Sequence, residues 1–325
     1  MKAFNTENIR NLAVIGHGDA GKTQLVASLL YVAGATPRWG KVDEGTTVTD
    51  FDEDSIERKV SLNNNFAHLE YKDTKINLID TPGYAAFVSH ARPALRVADC
   101  ALVVVDGVHG IEVQTEKTWQ YANEFLLPRF MVINKIDKEH ADFGHALETA
   151  TSSFARSIVP FSLPIGKEGD FKGVVDVVHQ KAYSFDENGK AKEIPIPEDG
   201  RDVFERTRER LIEIVAESDD ALMEKYFAEG TLPEEDIYPN LAKRSQAANS
   251  APFTPFRRRI WSGFNSCSIT SSNSPRTRQL TRQNTDLRTP TIRATVSPGN
   301  TAMTNLSRHM CSARSPTRSR AASTL

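Results

Sequence analysis

The sequence predicts an α/β fold: a mostly parallel sheet with helices on both faces, then a smaller α+β subdomain, then a C-terminal tail without regular structure. Three observations carry this. Four short apolar runs, at 12–15, 76–79, 101–105 and 130–133, read as interior parallel strands that are apolar on both sides. A helical spacing of Leu25, Val26, Leu29 and Leu30 follows the first run. Past Lys243 the acids nearly vanish and the apolar periodicity stops.

Between the first strand and its helix stand Gly16, His17, Gly18, Asp19, Ala20, Gly21, Lys22 and Thr23, matching the pattern G-x-x-x-x-G-K-[ST]. Glycines let successive backbone N–H groups turn inward around phosphate oxygens. Lys22 is placed to reach β- and γ-phosphates and to stabilise transferred-phosphate charge, and the Thr23 hydroxyl to ligate Mg²⁺. The helix that starts here aims its positive dipole end at the same anion. His17 reads as a structural member of the loop.

The 76–79 strand ends in Asp80, Thr81, Pro82 and Gly83. A carboxylate at a strand's end holds Mg²⁺ through water, and the Gly83 N–H meets a γ-phosphate and releases when it leaves. The 130–133 strand ends in Asn134, Lys135, Ile136 and Asp137. Asp137 can accept from both N1–H and the exocyclic amine of guanine, a pair adenine does not offer. A buried carboxylate left unpaired supports discrimination of ~10⁴-fold. Asn134 bonds the base edge and braces the phosphate loop, while the Lys135 stem covers the ring. Ligand chemistry at strand carboxyl ends is the rule for open α/β sheets.

Between helix and second strand run Gly45-Thr46-Thr47-Val48-Thr49-Asp50 and Glu57-Arg58-Lys59-Val60-Ser61-Leu62. With Asn8-Ile9-Arg10-Asn11 before the first strand, these segments resemble the translational GTPases, most closely the elongation factor G family. The resemblance implies a P-loop GTPase core whose substrate is GTP with Mg²⁺. It puts Ser61 where the family's Arg-Gly-Ile-Thr switch core has a Mg²⁺-ligating Thr; the hydroxyl is kept. It puts Tyr84 where the family has a water-positioning His, as in Tyr-bearing paralogues. A phenol has a pKa of ~10 and is a poor base at neutral pH, so GTP binding is better supported than fast hydrolysis.

Pro164-Ile165-Gly166 and Phe171-Lys172-Gly173-Val174-Val175-Asp176 resemble that family's insert subdomain. Within it, 174–178 reads as a strand, and 181–185 and 190–194 flank Asp186-Glu187-Asn188-Gly189 as a hairpin. The stretch 202–229 reads as one or two amphipathic helices, with Leu211, Ile212, Val215, Leu222 and Tyr226 inward. The expected division is a GTP-binding core at 1–160, the insert at 161–243 and the tail at 244–325.

The net charge of −2 hides two halves. Residues 1–243 hold 27 basic and 41 acidic residues, net −14, and residues 244–325 hold 13 Arg and one acid, Asp286, net +12. Ser and Thr fill 26 of those last positions, a composition that does not offset its ordering entropy by burial. One reading is a basic RNA-binding tail, with Arg257-Arg258-Arg259 beside Trp261 as its best cluster. The other is a shifted reading frame, favoured because the loss of Lys, acids and resemblance coincide. No sixth strand, guanine-contacting loop or covering helix is recognisable there, and the family's later domains are missing. The chain therefore reads as a shortened form, marginally stable and unable to translocate.

No signal-peptide pattern opens the chain and no apolar run approaches the ~20 residues of a membrane span. Cys100, Cys267 and Cys311 lack metal or redox spacing. Cys100 is expected in a strand core. The resemblance implies a cytoplasmic monomer acting on the ribosome, with ribosomal RNA and the stalk protein as partners and neither membrane nor DNA. Its implied reaction is GTP hydrolysis that drives tRNA and mRNA movement. A nucleotide-gated ribosome-binding module of low turnover, or a ribosomal GTPase of protection or release type, stays open beside it. If Asp137 reads guanine, Asp137→Asn should weaken GTP binding and favour xanthosine triphosphate, whose extra carbonyl matches an amide donor. Unchanged affinities for both nucleotides in a competition assay would remove Asp137 from the base site.

Overall fold

The computed structural model describes residues 3–71, 73–154, 158–185, 191–237, 240 and 252–255. These lie in one compact unit, Met1–Thr285; the second unit, Asp286–Leu325, lies outside the described residues.

After a 3₁₀ turn at Thr6–Asn8, strand β1 (Ile9–Gly16) leads through the glycine loop into helix α1 (Lys22–Val32). A long connection carries the short helix α2 (Glu53–Arg58) and then β2 (Asn65–Tyr71) and β3 (Thr74–Asp80). Helix α3 (Ala91–Val97), β4 (Cys100–Asp106), α4 (Val113–Glu124), β5 (Arg129–Asn134) and α5 (Phe143–Ser153) follow, and β6 is Val159–Pro160. The subdomain comprises β7 (Ser162–Ile165), β8 (Gly173–Asp176), β9 (Lys181–Phe185), β10 (Ala191–Ile194), α6 (Arg201–Ala216) and α7 (Asp220–Glu229). Strand β11 (Pro252–Pro255) returns to the first sheet.

That sheet has the order β2-β3-β1-β4-β5-β11-β6. It is parallel except for β2, which runs antiparallel to β3. The period of two along β1 decides both cores. Ala13 and Ile15 face one way, into a cluster with Leu95, Trp119, Met131 and Ile133. Leu12 and Val14 face the other way, against Leu25, Leu29 and Leu30 of α1. Helices thus cover both faces, which a sheet of all-apolar parallel strands requires. The second sheet, β10-β9-β8-β7, is antiparallel and shares a third cluster with Phe204, Leu211, Ile214 and Val215 of α6.

The four apolar runs are β1, β3, β4 and β5, each extended at one or both ends. Three readings change. Strand β2 is a further strand at the sheet's edge, where mixed polarity along Asn65–Tyr71 hid it among loop residues. Residues 177 and 178 lie in a turn rather than in β8, since the Asp176 carboxylate accepts from the Val178 and His179 N–H groups at 3.0 Å and ends the strand. A sixth core strand does exist: β11 lies parallel between β5 and β6, with Phe253 paired to Met131 and Pro160. It is four residues long and holds two prolines, which give no N–H to a ladder and argue against a central strand. The side of β5 away from β4 is therefore paired. Of the assigned tail, 244–325, all but 252–255 lies outside the described residues, as do the hairpin turn 186–190 and the Arg257–Trp261 cluster. Cys100 opens β4, partly buried and packed against the core cluster that β1 shares with α1, as expected of a strand-core residue.

Because β11 satisfies both β5 and β6, a chain ending at 243 leaves buried backbone groups unpaired. Each costs about 1–3 kcal/mol. A chain ending at 256 should then be at least about 3 kcal/mol more stable to urea than one ending at 243. Equal midpoints would remove β11 from the sheet.

Candidate nucleotide-binding site

The carboxyl ends of β1, β3 and β5 converge on an open cavity of about 400 Å³, lined among others by Gly18, Lys22, Thr23, Ser61, Gly83 and Asn134. Local chemistry shapes its floor. Gly21 caps α1 at φ 90°, a left-handed conformation that side chains rarely adopt. Gly83 comes so close to the phosphate loop that a Cβ there would strike the Lys22 ammonium and the His17 carbonyl. Thr81 ties the post-β3 turn to β1, donating its hydroxyl to the Val14 carbonyl at 2.6 Å. Pro82 and Gly83 follow directly.

Lys22 is 6% exposed, and its Nζ donates to the His17 carbonyl at 2.6 Å. Burial lowers its pKa to about 8, against the opposing pull of Asp80, Asp19 and Asp50. The His17 ring faces away from the cavity floor toward Glu112, 3.5 Å from Nε2, and accepts from the Gln114 N–H at Nδ1. That suits a structural histidine.

The Thr23 and Ser61 hydroxyls lie 2.9 Å apart. Ser61 donates on to Asp50 at 2.9 Å, and Asn65 of β2 holds the other Asp50 oxygen at 3.1 Å. Behind them Asp80 is 0% exposed, and neither of its carboxylate oxygens makes a hydrogen bond. Burial, then Asp50, push its pKa up to about 7, although the Thr23 and Thr49 hydroxyls approach and partly offset this. The Thr47 and Thr49 hydroxyls are likewise buried without partners. A buried, unpartnered carboxylate ringed by hydroxyls suits a hard dication such as Mg²⁺. Among the described residues no cluster of three or more His, Cys, Asp or Glu could hold a metal ion, so the fit rests on Asp80 with Thr23 and Ser61.

At the far end Asn134 donates Nδ2 to the Ala20 carbonyl at 2.8 Å, bracing the phosphate loop from β5. Its Oδ1 is buried and open. Lys135 takes a left-handed φ of 60° and pairs with Asp106 at 2.8 Å, its stem lying along Gly21. Burial raises the Asp106 carboxyl, but Lys135 and the Val108 N–H bring it below the usual range. Asp137 is half-buried in the turn beyond β5 and outside the cavity lining. Tyr84 is not directed at Asp80 or Thr23. Its ring lies over Gly18, and its hydroxyl donates to Asp19 at 2.5 Å. That bond, with burial, raises the phenol to about 12.

Sequence reasoning missed Asp106, Asp50, Asn65 and the Asp19–Tyr84 contact. Asp106 carried a usable signal, an acid ending a buried parallel strand. Asp50 and Asn65 carried none.

The model of the elongation factor Tu GTP binding domain matches residues 7–256. The chain belongs to that family. It is 38% identical over 248 residues to elongation factor G of Thermotoga petrophila, covering 76% of this chain and 36% of that protein. Elongation factor G of Thermotoga maritima is 37% identical over the same length. A solved structure from Thermus thermophilus aligns with a TM-score of 0.76 and 33% identity, over 83% of this chain and 40% of that one. This member of the family thus spans little more than a third of the curated relatives it matches.

The raised carboxyl of Asp80 has a consequence for stability. The folded state keeps this proton between pH 3.8 and about 7, where the unfolded chain has lost it. Stability relative to Asp80→Asn should therefore be greatest at the acid end and fall as pH rises through that window, by up to about 1.4 kcal/mol per unit without metal. Urea unfolding of both proteins across the window measures it. A constant difference would place a partner on Asp80.

Proposed function

We propose that the chain binds GTP with Mg²⁺ and hydrolyses it as a switch, and that on the ribosome this turnover promotes movement of tRNA and mRNA. The observation that carries the reading is the pairing of the Thr23 and Ser61 hydroxyls beside the buried, unpartnered Asp80, on a phosphate loop braced by Asn134. In this reading residues 1–160, together with β11 at 252–255, form the GTP-binding core, 161–243 the insert, and the rest of 244–325 a tail outside the function.

Each residue then has a task. The loop N–H groups from Gly18 to Thr23 cradle phosphates. Lys22 exchanges the His17 carbonyl for β- and γ-phosphate oxygens. Thr23, Ser61 and Asp80 would hold Mg²⁺, and the ion would supply charge neutralisation for the phosphates. Ser61 and Gly83 sense the γ-phosphate, so its loss frees both segments. Asn134 and Asp137 read guanine, and the Lys135 stem covers it. The partners are the ribosomal RNA and the stalk protein, the latter facing the insert, and the setting is the cytoplasm, with the chain a monomer. Among the described residues no helix is long and apolar enough to cross a membrane.

Tyr84 favours a second reading, a nucleotide-gated ribosome-binding module with little turnover, because a phenol near 12 takes no proton at neutral pH. Tyr84 also marks a Tyr-bearing subclass. Single-turnover GTP hydrolysis with and without ribosomes separates the readings. We expect slow intrinsic hydrolysis that ribosomes accelerate; tight GTP binding with no acceleration supports the module. Thr23→Ala should weaken GTP binding most at low Mg²⁺, by about tenfold, as one ligand is lost. Equal loss at all Mg²⁺ levels in a titration with fluorescent GTP would remove Thr23 from the metal.

A further inference from the structure

The contact between Asp19 and Tyr84 joins two segments that the fold brings together from 65 residues apart. Both residues line the cavity, on the side of Gly18 and Lys22. Asp19 holds a left-handed φ of 58°, which turns its side chain toward the segment after β3. The Tyr84 ring lies against Gly18 so closely that a Cβ there would meet three ring carbons at 3.1–3.2 Å. The ring is therefore positioned by packing, and its hydroxyl by one hydrogen bond.

We propose that Asp19 is a positioning residue: its carboxylate takes the only proton of the Tyr84 hydroxyl and leaves the phenol oxygen's lone pairs to accept a hydrogen bond from water in the cavity. The chemistry follows from the donor inventory. A carboxylate has no proton to give, and a phenol has one. With that proton committed to Asp19, Tyr84 has none left to donate to a phosphate oxygen. An electron-rich phenol oxygen facing a polyphosphate repels its oxygens and attracts an O–H. Water is the cavity occupant that fits. Tyr84 then orients a water without deprotonating it, and a raised phenol pKa is no obstacle to that role. The proposal rests on the reading that the cavity takes GTP, and gives that reading a feature of its own: the polarity of the Tyr84 hydrogen bond selects water over phosphate.

Two measurements on the full chain test it. The first reads the contact itself by the ¹³Cζ resonance of labelled tyrosine, assigned with Tyr84→Phe. In the parent Tyr84 should stay un-ionised at a pH where a free phenol, near 10, is half ionised, and Asp19→Asn should bring its midpoint back toward that value. The second is single-turnover GTP hydrolysis in a double-mutant cycle. Asp19→Asn, whose amide can donate to the phenol and turn its proton outward, should slow hydrolysis about tenfold. Tyr84→Phe should slow it similarly, and the double variant no further. An unmoved Tyr84 midpoint in Asp19→Asn, or an equal further loss when Asp19→Asn is added to Tyr84→Phe, would overturn the proposal. Absence of turnover in the parent would instead count against the hydrolytic reading, and the titration would still decide the contact.

Discussion

A buried ammonium and two buried carboxylates share one water-poor corner of this molecule, and the arrangement around them follows from that constraint. Lys22, Asp80 and Asp50 are 6%, 0% and 4% exposed. Burying a charge costs several kcal/mol unless it is paired and hydrogen-bonded. Asp50 meets that demand with Ser61 and Asn65, and Lys22 with only the His17 carbonyl. Asp80 meets it only with the approach of the Thr23 and Thr49 hydroxyls, without a well-formed hydrogen bond, and burial makes it protonate more readily. The corner is thus incomplete as protein alone. A polyphosphate with a dication is a ligand class whose charges would answer both deficits: its oxygens would pair with Lys22 and its metal with Asp80.

The fold makes such a corner possible. Parallel strands β1, β3, β4 and β5 are apolar on both faces, so polar side chains have room only at their ends. Their carboxyl ends all point one way, and the loops after β1, β3 and β5 arrive at one cavity, with Asp106 at the end of β4 held beside it by Lys135. Hydrogen bonds between those loops then convert four separate strand ends into one surface. Asn134 holds the phosphate loop from β5, Thr81 holds β1 from the end of β3, and Lys135 holds the end of β4. The connection from α1 is fixed in the same way: the buried Gln24 amide donates to the Gly40 carbonyl and accepts from the Val42 N–H. Residues 40–61 therefore approach the cavity from an anchored base rather than a free loop.

The second sheet and α6 form a cluster of their own, yet it includes Val159 of β6 and Phe161 just after it. Strand β11 closes the main sheet after the chain has passed through this subdomain. Core and insert are thereby coupled by topology: the last strand of the core sheet forms only when the insert has brought the chain back.

The sequence by itself determined the phosphate loop, the strands that frame it and the polar residues at their ends. These depend on spacing along a few residues: glycines at fixed offsets, an apolar run before, a helical period after. Such local patterns dictate local geometry, and they fixed Lys22, Thr23, Asp80 and Asn134 as one set. The tertiary structure alone decided which groups meet. Asn134 reaches Ala20 across 114 residues, Lys135 reaches Asp106 across 29 and Tyr84 reaches Asp19 across 65. Strand β11 is made a strand by its two neighbours, against the preference of its prolines. Charge partners, hydrogen-bond polarity and the closing of a sheet depend on distances between segments. No pattern along the chain encodes those distances until the cores on both faces of the sheet have packed.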